Sequence, residues 1–262
     1  MSQEVTQRKV EHVQVALAHD LAAPQAASWA DIHLIHQALP EVDLGEIDTS
    51  IDFLGKRLRA PIFISSLTGG HPDVTAINGR LARAAEHFGL AMGVGSQRAA
   101  IVAPDLAATY AVVRAQAPSA FIIANIGAPQ LIPQARKQPF TVEDARSAVA
   151  MIGADALAIH LNYLQEAAQP EGDGNARGAL AALTRMAAEV GVPIIAKETG
   201  AGISREVARK LRTAGVSAID VGGAGGSSMA AMEAVRAGQR GDTQTQAVGD
   251  LFRAWGIPTP IS

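Results

Sequence analysis

The residues of this chain whose types could do chemistry stand in short clusters, each at the end of an apolar run. His160, Asn162, Gln165 and Glu166 fall together in HLNYLQE. Glu166 has the chemistry of an oxygen ligand for Mg²⁺, which takes one or two carboxylates and completes its shell with water and substrate phosphate. A single loop carboxylate is about as often merely solvated, so the company matters: Arg98, Arg8, Lys9 and His12 are the cations a diphosphate needs. Lys197 ends the run PIIAKE. A cation between the ends of buried strands calls for an anionic or electron-rich partner, and a reduced flavin with charge near N1 is one. SSLTGG, GVGSQRAA, ANIGA, KETGAG and GGAGGSS add glycines, which let backbone amides approach a ligand, and neutral Ser, Thr and Asn donors. That lining suits a flat, polar-edged heterocycle. GGAGGSS lacks the spacing of a nucleotide P-loop and alone could be a turn. His19, His33, His36, His71 and His87 are assigned no chemistry.

These clusters need elements to hold them. The runs 61–66, 90–96, 121–127, 156–162, 193–198 and 218–223 are apolar on both faces, the pattern of buried parallel strands. Between them lie Ala-rich stretches with helical spacing at 78–88, 105–115, 142–152, 176–190 and 204–214, and 243–254 is expected to close the sixth unit. Polar residues at every strand's C-terminal end predict a (β/α)₈ barrel of the TIM type, whose site is built from those loops. A doubly wound sheet would gather them at one switch point. Residues 1–60 form a lead-in carrying RKxxH, in which WADIHLIHQALPEVDLGEID is expected to pack over the barrel's outside or bottom. Residues 61–262 form the barrel, with only about six of its units. Two strand edges are left open, the expectation for a fragment or for a chain that assembles as a homo-oligomer.

With 48% hydrophobic and 18% charged residues over 262 positions, the chain can bury a large core as one α/β domain. A net charge of −3 provides no general field for nucleic acid or acidic membranes, so phosphate binding has to be local. The absence of cysteine excludes disulfides, thiolate zinc sites and cysteine nucleophiles. The N-terminus lacks a signal-peptide core and no apolar run suffices to cross a membrane, so a cytoplasmic enzyme with a small-molecule substrate is expected.

From R-K-x-x-H (Arg8, Lys9, His12) through ALPEVDLGEID, APIFISSLTGG, GVGSQRAA, ANIGA, HLNYLQEAAQPEGD, PIIAKETGAGIS, AIDVGGAGGSS and WGIPT, the chain resembles the type 2 isopentenyl diphosphate isomerase family. The resemblance implies an FMN-dependent enzyme that interconverts isopentenyl and dimethylallyl diphosphate in isoprenoid biosynthesis, with Mg²⁺ and NADPH as the reductant of the flavin. It implies flavin contacts from Ser66, Leu67, Thr68, Ser96, Asn125, Lys197 and Ser227. Substrate contacts follow from Arg8, Lys9, His12, Gln97, Arg98, His160, Asn162 and Gln165, and the magnesium ligand is Glu166. Gln165 and Glu233 are the catalytic candidates, Glu233 matching an acid placed near the substrate. Leu67 stands where the family commonly has Met, Ser227 where it has Thr, and Met229 where it has Trp. The family's later GG-[IVMF]-R-x-G segment and Ala-Leu pair, which bind the flavin phosphate, do not occur in these 262 residues. Two other readings stand beside this one: an FMN-dependent oxidase or dehydrogenase of 2-hydroxy acids, which would have no use for HLNYLQE and RKxxH, and an inactive remnant of the isomerase.

Overall fold

The computed structural model describes residues 2–23, 29–135 and 137–262. Helix α1 (Ser2–Ala18) comes first, and after an irregular stretch two short strands, β1 (Ile51–Phe53) and β2 (Lys56–Leu58), form an antiparallel hairpin. Then βα units follow one another: β3 (Phe63–Ile64), α2 (Pro72–Phe88), β4 (Ala91–Gly93), α3 (Arg98–Val102), α4 (Ala108–Gln116), β5 (Phe121–Gly127), α5 (Val142–Ile152), β6 (Ala156–His160), α6 (Tyr163–Ala168), α7 (Ala179–Glu189), β7 (Ile194–Lys197), α8 (Arg205–Thr213), β8 (Ala218–Asp220), α9 (Met229–Gln239) and α10 (Thr243–Leu251).

The six strands β3 to β8 pair in parallel in their order along the chain, with no reversal point. That is a partial (β/α)₈ barrel; a doubly wound sheet would reverse its order partway. Every residue of β5 and β6 is buried, which explains why FIIANIG and ALAIH lack polar alternation. Ile122, Ile126, Leu157 and Ile159 pack with Met186 and Ile152 of the surrounding helices. Truncating one such side chain to Ala costs about 2–5 kcal/mol.

Register is what turns this sheet into a site. Gly127 pairs with His160, His160 with Lys197, and Lys197 with Asp220, so the last residues of four strands lie on one rung. At the opposite end the β1–β2 hairpin plugs the sheet: Leu58 packs with Phe121, Ala91, Ala156 and Ile195, and Phe53 meets Phe121 edge-on at 5.4 Å.

Two expectations are corrected. The stretch 29–48 does not pack over the sheet: Leu34 and Leu44 are 91% and 88% exposed, and beyond two single 3₁₀ turns it forms no helix or strand that would give it an apolar face. The bottom is taken by the hairpin instead. The sixth unit is closed by α9, not by 243–254. MAAMEAVRAGQ is poor in large apolar residues and so leaves little periodicity to read, yet seven of its eleven residues are buried. Helix α10 packs on α9 from outside through Gly249, where a Cβ would sit 2.7 Å from the Ala230 carbonyl oxygen.

The last residues run beside the loops after β7 and β8. Ala224 N–H donates to Ile257 O at 2.9 Å and Thr259 N–H to Ala224 O at 2.9 Å. This approach requires glycine at 223, whose Cβ would lie 2.7 Å from Thr259 Cα. No helix among the described residues is long and apolar enough to cross a membrane.

Candidate active site

The floor of the site is a hydrogen-bonded chain at the ends of β4, β5 and β6. Asn125 donates from Nδ2 to Val94 O at 3.0 Å, so its Oδ1 accepts from His160 Nδ1 at 2.8 Å. His160 therefore carries its proton on Nδ1. Burial, with Lys9, Lys197 and Arg8 adding to it, pushes the imidazole down to about 3, and the ring is neutral. Gln97 is placed below this floor: its Nε2 donates to Ala148 O at 2.8 Å and its Oε1 accepts from Asn125 N–H at 3.0 Å. Its carboxamide is thus committed to backbone and braces Asn125, a different position from the substrate contact expected of it.

After β6 the chain turns into α6, which carries Gln165 and Glu166 one after the other while Asn162 caps its start. Asn162 Nδ2 donates to Glu166 Oε1 at 3.2 Å and lies 3.3 Å from Gln165 Oε1. Glu166 Oε2 accepts from the Asp173 N–H at 2.8 Å. Burial raises the Glu166 carboxyl above its usual range, against the Asp173 N–H bond and the charge of Arg8, which pull it down. Asn162 Oδ1 is buried with no hydrogen-bond partner among the described residues. An orphaned oxygen beside a carboxylate whose charge burial opposes is a good place for a cation. Among the described residues no three His, Asp or Glu side chains form a metal cage.

The RKxxH segment reaches this place from the far end of the chain. Residues 8, 9, 11 and 12 lie on α1, which is fixed on α9 by Val15, and by Leu21 just beyond the helix, against Ala231 and Met232. Arg8 Nη1 donates to Gln169 Oε1 at 3.0 Å, and His12 Nε2 lies 3.1 Å from Glu233 Oε1. Glu233 also accepts from Gln165 Nε2 at 2.8 Å and forms an ion pair with Arg236. Burial would raise this carboxyl; His12, Arg236 and Gln165 outweigh it and hold Glu233 at about 2. It is a carboxylate, so His12 presents Nε2–H to it; burial lowers the imidazole, and the bond to Glu233 works against that. Lys9 is pushed down to about 8 by burial and by Arg8, against the pull of Glu233.

Arg98 is held at the rim by Asp173, whose Oδ2 lies 3.1 Å from Nη1, and Asp173 also pairs with Lys137. Besides Asn125 in β5, the expected flavin contacts lie at the ends of β3, β4, β7 and β8. Leu67 is 71% exposed beside half-buried Ser66 and Thr68, and Thr68 Oγ1 is bonded to Asn78 Oδ1. Ser96 is half-buried, Lys197 Nζ donates to Glu198 O at 2.8 Å and lies 3.6 Å from Asp220, and Ser227 is exposed.

No protein-family profile matches the chain. Its sequence is 49% identical over 263 positions to isopentenyl-diphosphate delta-isomerase of Methanosarcina mazei, covering all of this chain and 70% of that protein. The chain belongs to the isopentenyl-diphosphate delta-isomerase family. It is 51% identical over 257 positions to the isopentenyl-diphosphate delta-isomerase of Archaeoglobus fulgidus, with 98% of this chain and 72% of the relative aligned. Solved structures resembling it include an aldolase and a mandelate oxidase, at TM-scores of 0.35 and 0.30 and identities of 15% and 17%. The first alignment covers 56% of this chain and 62% of that one, the second 81% of each. At those scores the strand order, not the likeness, carries the fold.

Within this isomerase family chain, the reading of residue types missed three side chains that the fold brings to the cluster: Gln169, Asp173 and Arg236. All three are nearly fully buried polar residues. QPEGD supplied the first two within a motif already singled out. Arg236 gave no signal, because an arginine in an Ala-rich helix reads as a solvated one.

Proposed function

We propose that the chain is a type 2, FMN-dependent isomerase that interconverts isopentenyl and dimethylallyl diphosphate in isoprenoid biosynthesis in the cytoplasm, with Mg²⁺ as its metal and NADPH as the reductant. The observation that carries this reading is the meeting of Gln165, Glu233 and His12 around one carboxylate oxygen, next to Glu166 and to Arg8 and Lys9. A carboxylate flanked by a cation cluster and a metal-type oxygen pair suits a substrate with an anionic head and an apolar tail. An oxidase of 2-hydroxy acids would leave that apparatus without a task.

The residues fit both groups. Asn162 Oδ1 and Glu166 are oxygen donors without enough partners of their own, and they would hold Mg²⁺ against the diphosphate. Leu67 offers an exposed apolar face and Lys197 a strand-end cation, which suit the ring and the N1 side of a reduced flavin. When bound, that flavin would supply the acid and base chemistry that ordinary side chains are too weak to perform on an unactivated alkene. The chain's own part is binding and orientation. Arg8, Lys9, Arg98 and His160 would meet the head group, and binding energy from that remote end would hold the alkene in place. Glu233, ionised and deprived of water, can accept a proton but not donate one, and Gln165 fixes which oxygen faces the substrate.

The test is an assay of the protein loaded with FMN, reduced anaerobically, with Mg²⁺ and isopentenyl diphosphate. Dimethylallyl diphosphate is the expected product. A folded, flavin-loaded protein that forms none would overturn the reading.

A further inference from the structure

Arg236 lies on α9 one turn after Glu233 and is 1% exposed. Its three nitrogens each take a different carboxylate: Nε donates to Glu11 Oε2 at 3.0 Å, one terminal nitrogen to Glu171 Oε1 at 2.9 Å, and the other to Glu233 Oε2. The partners belong to three separate segments, helix α1, the loop after α6, and α9 itself. Arg240, one turn further on, repeats two of the contacts, reaching Glu11 Oε2 at 2.9 Å and Glu171 Oε2 at 3.4 Å. Glu11 sits on α1 between Lys9 and His12.

We propose that Arg236 is a positioning residue, a clasp that holds the cation-bearing helix α1 and the 169–173 loop against α9 so that the head-group residues and Glu233 are assembled together. A planar guanidinium is suited to this because its donors point in fixed, divergent directions, whereas an ammonium is a point charge. Buried cations are stable only when their donors are all met, and here that requires α1 to be docked. The docked helix brings His12 to Glu233 and Arg8 to Gln169. The groups that face Glu233 are His12 and Lys9 from α1, Gln165 from α6 and Arg236 from its own helix, with Glu171 reaching it only through Arg236. What Glu233 and Arg8 do chemically rests on the proposed function; the clasp itself does not.

The experiment is hydrogen exchange of the 262-residue protein, without ligands, followed by steady-state kinetics. In Arg236→Met the amides of residues 7–18 should exchange about tenfold faster or more, while those of β5 and β6 keep their protection. Glu11→Gln loosens α1 alone: its KM for isopentenyl diphosphate should rise about tenfold with kcat within about twofold. Arg236→Lys keeps the charge beside Glu233 but cannot span three carboxylates. It should keep the acid limb of the rate profile while the KM stays raised, whereas Arg236→Met moves that limb to higher pH. Unchanged exchange over 7–18 in a folded Arg236→Met protein would overturn the proposal, as would an equal rise across the whole barrel. Should Arg236→Met fail to fold, Glu11→Gln decides alone, by the same exchange and the same split between KM and kcat. A wild-type protein with no isomerase activity overturns the proposed function and leaves the exchange result to decide the clasp.

Discussion

Gln165 donates from Nε2 to Glu233 Oε1 across 2.8 Å, joining a helix after β6 to a helix after β8 over 68 positions of sequence. The same oxygen takes His12 Nε2 at 3.1 Å. This carboxylate is the point where the N-terminal segment, α6 and α9 converge. Glu233→Gln removes its charge and its capacity to accept a proton, while Arg236 keeps Glu11 and Glu171 as partners. Isomerisation should fall by about 10²–10⁴-fold, with the circular dichroism spectrum retained. Activity within a few-fold of wild type would show that Glu233 is only a structural counterion.

Glu166 should act through a metal. Its carboxyl is raised by burial above its unfolded value, so its contribution to stability is present below the unfolded pKa and lost as pH rises through the folded one. Above that folded pKa the ionised group is therefore a cost to the metal-free fold. Glu166→Gln should leave the metal-free melting temperature unchanged or raise it by up to about 4 °C. Added Mg²⁺ with pyrophosphate should stabilise the wild type and not the variant. A large fall in melting temperature with unaltered metal dependence would make Glu166 a fold residue.

His160 gives a pH signature. Its folded pKa, about 3, lies below the unfolded value, so its contribution is present above pH ~6.5 and lost as pH falls from there toward about 3. In the ligand-free protein its ring signals should show the neutral Nδ1–H form throughout pH 5 to 8. His160→Asn should flatten the acid loss of stability by up to about 1.4 kcal/mol per pH unit. A ring that titrates near pH ~6.5 would mean that the floor of the site is open to water.

Lys9, pushed down to about 8, is only partly charged at that pH in the free protein. Diphosphate favours its charged form, so pyrophosphate binding measured by calorimetry near pH 8 should take up a proton and weaken as pH rises through 8. Lys9→Gln should abolish the proton uptake. Equal uptake in the variant would assign it elsewhere.

The outer edges of β3 and β8 are unpaired among the described residues, and Ile62 and Phe63 are exposed at one of them. Open parallel edges of this kind template further pairing. The protein should self-associate with concentration in light scattering. A monodisperse monomer at every concentration would show that these edges do not template pairing.

By itself the sequence determined the unit structure and the family. Short continuous apolar runs such as FIIANIG, rich in β-branched residues and alternating with helical stretches, read as strands buried on both faces, and a polar group at the end of every run points to a site at one end of a parallel sheet. Side-chain types also singled out Glu166 and the basic residues Arg8, Lys9 and Arg98 as candidates, because the chemistry a side chain could do is local. What tertiary structure alone decided is which of these groups meet. Strand register set His160 beside Lys197, packing of Ala-rich α9 drew Glu233 and Arg236 into the interior, and α1 came to rest over both. It also gave Gln97 to the scaffold and left 29–48 exposed. Local patterns report what a residue could do and which face it shows; contacts across 68 or 221 positions depend on how whole elements dock, which no local spacing encodes.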